Sequence, residues 1–349
     1  MSSVRTAMVG ALALAACVSP EEPSTSVTEQ AAACPSWKCG SNSPVVASVP
    51  FWELNRVFGV PNEEGVSITK FVKGATSYQL YVTKGKLHGQ AIGRSLFPTI
   101  SGQSLIGAQI WLRFKGVDLI VKVVDVTQVP FFASGPNGSP WFEVYRFDWN
   151  YAQPPSGTTV QPWTNLCSEP DLDKSEWLTT RGDVVMLFEG ERFDPDTMTV
   201  TPAESSWFNV GCVGHTLAKM HLTGHTQAAK AHGFVTSNDE RQAMLKMFSA
   251  DYCGTGDTYT VAGVPLSWQD KNGWMAHSSV TSNSLIEARW TASGAQCIHK
   301  PRIHVNPTPE STTQFPNGVT LACSIPECTN LDATNMAGAH VVSASPLPQ

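Results

Sequence analysis

The sequence predicts an α+β domain that is predominantly β, with antiparallel sheets, two short-to-medium helices and several disulfide bonds. Three observations favour this class. Much of the region 49–305 alternates β-branched or aromatic residues with polar ones, as half-buried strands do. Only two segments carry helical start and stop signals. Of the nine cysteines, the eight beyond Cys17 are an even number, which is typical of disulfides in an oxidising compartment.

The strands are predicted in two groups, one on each side of the helices. The alternating segments are residues 66–72, 77–83, 108–114, 117–126, 141–147, 183–188, 198–201 and 207–210, and then 258–262 and 284–291. Lys115-Gly116 separates two of these segments and predicts a hairpin turn. There is no internal repeat, so the pattern indicates one continuous β-rich region.

Two helices are predicted, over about 215–223 and 239–252. The second has the clearer signals. Ser237 and Glu240 have the spacing of a capping box, with the serine at the N-cap and the glutamate at N3. Gly254 follows at a place where a helix commonly ends.

Composition limits the partners of the chain. The 349 residues are 42% hydrophobic, enough for a sizeable core. The net charge is −6 and no basic cluster occurs, so nucleic acid is not an expected partner. The sequence also lacks a Gly-x-Ser-x-Gly elbow, a phosphate-binding glycine loop and a dinucleotide fingerprint.

The amino terminus has the features of an exported lipoprotein. Arg5 precedes an apolar run of about ten residues, which is too short to span a bilayer and is typical of the h-region of a secretory signal. Leu14-Ala15-Ala16-Cys17 resembles the lipobox of bacterial lipoproteins. This resemblance implies a signal peptide over residues 1–16 and lipid attachment at Cys17. Stable anchoring to a membrane follows when several acyl chains are attached.

The segments flanking the globular region are polar. Residues 17–48 comprise the anchor cysteine and a predicted flexible tether. Val18, rather than aspartate, follows Cys17, which resembles the default for passage to the outer membrane and favours it over the inner one. The tail, residues 306–349, is rich in Pro, Ser and Thr and is expected to be loose apart from what its cysteines fasten.

The cysteine spacing leaves the disulfide connectivity open. The candidates are Cys34, Cys39, Cys167, Cys212, Cys253, Cys297, Cys323 and Cys328. Cys34 with Cys39 and Cys323 with Cys328 are the local pairs that short loops would allow, and the other four would then staple the main domain. Zinc binding is the competing interpretation, but no Cys-x-x-Cys spacing occurs.

One motif and its flanks resemble a known family. Ser249-Ala250-Asp251-Tyr252-Cys253-Gly254 resembles the signature of the ADYC domain, which occurs in predicted secreted proteins and lipoproteins of myxobacteria. Further matching segments occur in the same order: Asn165-Leu166-Cys167, the Gly-Glu-Arg-Phe turn at 190–193, Phe208 to Cys212, Thr216 to Lys219, Ala288-Arg289-Trp290, Gly294 to Cys297 and Pro301-Arg302. The resemblance covers about residues 140–302. It implies a fold and an exported location but no activity, because the function of the family is unknown.

The chain departs from the family pattern at two positions. The family commonly has a cysteine after the segment that matches Thr216 to Lys219 and another in the helix before the signature. This sequence has Met220 and Met244 at about these places. The resemblance therefore implies that one disulfide has been replaced by two apolar side chains.

A metal site is the first candidate for chemistry. His221 and His225 have the His-x-x-x-His spacing that places two imidazoles on one helical face for zinc. Leu222 stands where metalloproteases carry a glutamate base, and Gly224 is expected to end the helix before His225. The favoured interpretation is that His221 faces the core and that His225 lies in a solvated loop.

Two carboxylate positions are candidates for calcium binding or catalysis. Asp171 and Asp173 begin a segment like a calcium loop, but Glu176 replaces the glycine and Gly182 the final glutamate. Asp251 follows a helix C-terminus, which disfavours a negative charge. Amides of the 254–256 loop are expected to compensate, giving this carboxylate a structural role. No cofactor is expected, with zinc and calcium as the alternatives.

Tryptophans are the remaining signal among the 349 residues, with eleven in total. Trp163, Trp177 and Trp274 occur in polar or Gly/Pro-containing stretches and are the candidate ligand-binding residues, since loop tryptophans stack on sugars or anchor proteins. Trp111 lies inside a strand pattern. Capping of the β-core is the alternative for all of them.

These observations favour a membrane-tethered, non-catalytic binding module of the cell envelope with a protein or glycan partner. A secreted metal-dependent hydrolase that uses residues 215–232 is the alternative. A purely structural envelope protein is the third hypothesis.

Overall fold

The computed structural model describes residues 44–47, 49–93, 99–135, 138, 140–153, 162–167, 183–259, 266–274, 280, 284–302 and 321–345. Within them the predicted class is confirmed: the fold is α+β, predominantly β, with antiparallel sheets and two α-helices. Cys17, Cys34, Cys39, Trp177 and the calcium-like segment at 171–182 lie outside the described residues.

The elements follow one another along the chain. The first strands are β1 (Val45–Val46), β2 (Val49–Pro50), β3 (Glu53–Asn55), β4 (Ser67–Lys73), β5 (Thr76–Thr83), β6 (Lys86–Ala91), β7 (Thr99–Ser101), β8 (Gln109–Phe114), β9 (Val117–Pro130) and β10 (Trp141–Tyr151). Then come β11 (Thr164–Asn165), β12 (Val185–Glu189), β13 (Glu191–Asp194), β14 (Thr199–Pro202), β15 (Trp207–Cys212), α1 (Thr216–Leu222) and α2 (Asn238–Ser249). The last strands are β16 (Ser267–Asp270), β17 (Leu285–Thr291), β18 (Gly294–Ile298) and β19 (Val341–Ser345), and 3-10 turns cover Gly102–Leu105 and Ala228–His232.

One large antiparallel sheet forms the first half of the fold. It has eleven strands in the order β3-β15-β12-β10-β9-β8-β4-β5-β6-β7, with β11 paired to the side of β10. The sheet is curled: β12 contacts β5 and β6 across the concave side of the sheet, although these strands are not its neighbours in the strand order. Glu189 at the end of β12 fixes this contact by accepting hydrogen bonds from the amides of Lys84 and Gly85, at 2.6 and 3.2 Å, in the β5–β6 turn.

Strand β12 is buried on both faces and therefore separates two hydrophobic cores. Val185 and Leu187 face the core inside the curl. Met186 and Phe188 face the second core, which also contains the helices. Burial on both sides explains why this segment is continuously apolar, whereas β9 alternates because only its Leu119 side is buried.

The two helices cover the outer side of β15 and β12. Gly211 lets α1 approach closely, because a Cβ at this position would lie 3.3 Å from the amide nitrogen of Ala218. Helix α2 begins with the predicted capping box of Ser237 and Glu240. It ends at Ser249, earlier than predicted, because Ala250 adopts the left-handed conformation at φ 53°.

A second antiparallel sheet packs on α2 and corrects the prediction for the tail. Its order is β16-β19-β17-β18, so the C-terminal strand β19 lies inside the sheet. Val341 is buried against the helix side and Val342 against Ile286 on the opposite face. The prediction of a loose tail at 306–349 was wrong for β19. The strand is short, and the polar residues around it gave the segment the composition of a loop.

Among the described cysteines, three disulfides connect distant parts of the chain. They join Cys167 to Cys212, Cys253 to Cys323 and Cys297 to Cys328. The predicted local pair Cys323–Cys328 was therefore wrong. Spacing alone could not show that residues 321–328 pass along β18, where the amide of Cys328 donates a hydrogen bond to the carbonyl of Ile298 at 3.1 Å.

No helix within the described residues combines the length and the apolar composition that crossing a membrane requires.

Candidate functional site

Asp251 in the signature is held by a buried cation. Its Oδ2 accepts hydrogen bonds from Lys246 Nζ at 2.7 Å and from the amide of Gly256 at 2.8 Å. The side chains of Lys246 and Asp251 are only 2% and 0% exposed. The hydrogen bond from the amide of Gly256 to Asp251 confirms the prediction that amides of the 254–256 loop bind this carboxylate. Lys246 was not predicted, although it neutralises the carboxylate and also donates to the carbonyl of Thr197 at 2.8 Å.

The next two residues of the signature connect α2 to the second sheet. Tyr252 donates its hydroxyl to Glu287 Oε1 at 2.5 Å, and Arg302 binds both oxygens of the same carboxylate at 2.7 and 3.0 Å. Cys253 forms the disulfide with Cys323. The tyrosine and the cysteine therefore each fasten the end of α2 to a different segment.

Two glycines, the last residue of the signature and the second residue after it, allow close packing of backbones. A Cβ on Gly254 would lie 2.1 Å from the carbonyl oxygen of Ser293, and one on Gly256 would lie 2.0 Å from that of Asp196. Both glycines also have positive φ angles, 69° and 91°. The signature is thus a junction at which the end of α2 meets three other chain segments, and it offers no exposed group for chemistry.

The predicted histidine pair is not brought together as a metal site. His221 is buried among the rings of Phe131, Phe142 and Phe188, whose centroids lie 5.0–5.2 Å away. Its Nδ1 forms a 2.7 Å hydrogen bond with the Thr226 hydroxyl. Burial, with a further contribution from His232, lowers its pKa to about 3.

His225 lies beyond the end of α1, as Gly224 predicted. The glycine has a φ of 79°, and the chain leaves the helix there. His225 Nδ1 donates to the carbonyl of Thr223 at 2.8 Å, and its ring is fully buried, so the expected solvated loop position was wrong. Within the described residues, no group of three or more His, Cys, Asp or Glu side chains is arranged to hold a metal ion.

Two of the predicted ligand-binding tryptophans have different surroundings. Trp274 packs against Phe234 and His225, with ring centroids 5.4 and 6.1 Å apart, and serves the core. Trp163 is 43% exposed, and Lys122 Nζ lies 5.7 Å from the centre of its ring. Of the two predicted ligand-binding tryptophans that the structure describes, Trp163 is therefore the one placed to contact a ligand.

Trp163 lies on the convex side of the large sheet. The outward side chains on this side form a set that we call the Trp111–Trp163 face: Lys70, Val72, Gln109, Trp111, Arg113, Asp118, Ile120, Lys122, Arg146, Asp148, Asn150 and Trp163. They face outward because their neighbours in β8 and β9, such as Ile110, Leu112, Leu119 and Val121, point into the curl.

The strand register sets the rows of this face. Lys70, Trp111 and Ile120 lie side by side on β4, β8 and β9. The next row along the strands contains Lys122 and Asp148. Lys70 Nζ lies 3.4 Å from the centre of the Trp111 ring, a cation–π contact. The alternation of β8 could have identified Trp111 as outward-facing, although its place within a strand favoured a core role.

A comparison with family models finds one match, described as the ADYC domain, over residues 102–304. The match covers more than half of the chain and begins upstream of residue 140, where the sequence resemblance began, so it also contains β8 and β9. Neither the curated proteins nor the solved structures contain a match. The chain belongs to the ADYC domain family.

Proposed function

We propose that this protein is an exported, lipid-anchored module of the cell envelope that binds glycan chains on the Trp111–Trp163 face. Cys17 would carry the lipid and residues 17–48 would form the tether, with the outer membrane as the destination. The observation that supports binding is the ring of Trp163, which is 43% exposed beside Lys122 on the convex side of a rigid sheet. Ligand sites on regular elements hold their geometry better than sites on loops.

The composition of this face favours a glycan over a protein partner. Protein interfaces have a desolvated apolar centre with aromatic anchors. The side chains around Trp163 and Trp111 are instead mostly lysine, arginine, glutamine, asparagine and aspartate, with Val72 and Ile120 as the aliphatic residues of the set. A sugar ring has an apolar C–H face and a rim of hydroxyls, which suits an indole surrounded by hydrogen-bonding groups.

Replacing Trp163 by alanine is expected to weaken glycan binding by about thirtyfold, since a central aromatic contact contributes about 2 kcal/mol. The mature protein, processed in a bacterial host and purified in mild detergent, would be tested against dextran, polygalacturonate and methyl-esterified polygalacturonate. Affinity electrophoresis or calorimetry gives the dissociation constants.

Trp141→Ala is the matched control. Trp141 is 60% exposed and is the first residue of β10. Trp163 lies near the opposite end of β10, because it directly precedes β11, which pairs with that end. The control is expected to bind as the wild type does. Equal loss in both variants, or no loss in Trp163→Ala, would contradict the assignment of the face.

A further inference from the structure

The Trp111–Trp163 face carries two lysines, Lys70 and Lys122, that are not in direct ion-pair contact with a carboxylate. Lys122 lies opposite Asp148 in the β9–β10 register, and Lys70, after Arg113, contributes to lowering the pKa of Asp118. Arg113 pairs with Asp118 at 2.8 Å. Arg146, which lies two residues before Asp148 on β10, is 3.6 Å from that carboxylate and 3.5 Å from that of Asp183. Lys70 and Lys122 form no ion pair with any carboxylate among the described residues. The local balance is therefore positive, although the whole chain has a net charge of −6.

Both lysines are held at the indole rings. The Nζ atoms of Lys70 and Lys122 lie 3.4 and 5.7 Å from the centres of Trp111 and Trp163. The cation–π contact keeps each ammonium at the surface of the sheet, where a solvated lysine would otherwise move away. A sugar that stacks on the open side of Trp163 would place its substituents next to Lys122.

The distance between the two lysines indicates a polymer. Lys70 lies on β4 and Lys122 on β9, two strands away, and the register offsets them by two residues. Strands about 4.8 Å apart, with a rise of about 3.4 Å per residue, place their Cα atoms about 12 Å apart. A single acidic sugar carries one carboxylate and can pair with one of the two ammonium groups, whereas an extended acidic chain lying across the strands presents a carboxylate to each.

We infer that the ligand of this face is an acidic polysaccharide whose carboxylates pair with Lys70 and Lys122 while a sugar ring stacks on Trp163. This inference rests on the proposed glycan-binding function and names its ligand class. The charge of the whole chain opposes a polyanion, so binding has to come from local contacts of this kind.

Polygalacturonate and its methyl ester test the inference, because they share a backbone and differ in charge. The mature protein is expected to bind polygalacturonate at least tenfold more tightly than the ester, and monomeric galacturonate only weakly. The double variant K70Q/K122Q is expected to lose about tenfold for polygalacturonate and nothing for the ester. The preference is expected to shrink at high salt. K115Q/K230Q, two lysines outside the face, is the control and is expected to bind as the wild type does.

The remaining outcomes are distinguishable. Equal binding of both polymers, with no effect of K70Q/K122Q, overturns the acidic ligand and leaves the proposed glycan function standing. Binding of polyglutamate as tight as that of polygalacturonate overturns the glycan part, because only the charge would then be recognised. Binding of none of the polysaccharides tested overturns both.

Discussion

Asp251→Asn is expected to lower the free energy of unfolding by about 3–5 kcal/mol, since removing one partner of a buried ion pair leaves the other charge uncompensated. Lys246 would remain 2% exposed with only carbonyl partners, such as that of Thr197. Asparagine keeps the size of the side chain, so packing changes little. Urea unfolding of the mature protein, followed by tryptophan fluorescence, measures the effect.

Two further variants isolate the electrostatic cause. In K246M/D251N neither charge is present, so most of the loss is expected to be recovered. Asp257→Asn, a half-buried carboxylate in the same loop that accepts a hydrogen bond from the Thr255 hydroxyl at 3.0 Å, is expected to cost about 1 kcal/mol, well below the cost of D251N. A D251N cost below about 1 kcal/mol, or a double variant no more stable than D251N, would show that the signature is not held by this pair.

Lowering the pH is expected to reduce the free energy of unfolding, because the buried histidines resist protonation in the folded state. His221→Gln should remove the part of this pH dependence that comes from His221. Burial lowers the pKa of His221 to about 3 and that of His215 to about 4, from an ordinary value of 6.5. Above pH 6.5 each ring is neutral in the folded and unfolded chain. Below it the unfolded chain binds a proton that the folded chain refuses, so stability falls by about 1.4 kcal/mol per pH unit for each ring.

The difference between the wild type and H221Q separates His221 from other groups. Burial raises the pKa of Glu53 and Glu191, which adds stability as the pH falls and opposes the histidines. Between about pH 6.5 and pH 4.5 the stability advantage of the wild type over H221Q is expected to shrink by about 2–3 kcal/mol. Phe248→Leu, in the same core but packed on Trp268, is the control: its cost is expected to be the same at each pH. A pH-independent difference for H221Q would contradict the depressed pKa.

The sequence predicted those parts of the fold that are encoded by local patterns. The alternation of β4, β5, β8 and β9 and the capping box at Ser237 appear where expected. The strands that were missed, including β6 with His88 and Gly89 and β18 with its glycine and glutamine, have too few β-branched residues for a visible period. The pairing of β19 within the second sheet and the choice of disulfide partners depend on contacts between distant segments. No short stretch of sequence contains that information.

The candidate sites show the same limit. Asp251 was placed correctly because a carboxylate at a helix end needs donors nearby. Lys246 was missed because its charge made it look solvated, although the buried residues on both sides of it, Leu245 and Met247, were a signal. His225 was misplaced because the fold covers its loop with Trp274, a contact between segments far apart in the sequence.

The two positions at which the resemblance implies a lost family disulfide, Met220 and Met244, lie on different helices. Met220 on α1 and Met244 on α2 are both fully buried in the core that the two helices share. The three disulfides among the described residues fasten other segments, and the loss of a family disulfide stays a prediction.

The most direct test of the central claim maps the binding face by the indole N–H signals of the ¹⁵N-labelled mature protein during titration with polygalacturonate. The signals of Trp111 and Trp163 are expected to shift with the ligand, while those of the buried Trp268 and Trp290 stay unchanged. Saturable binding that shifts other tryptophans and leaves Trp111 and Trp163 unaffected would place the ligand elsewhere and contradict the account.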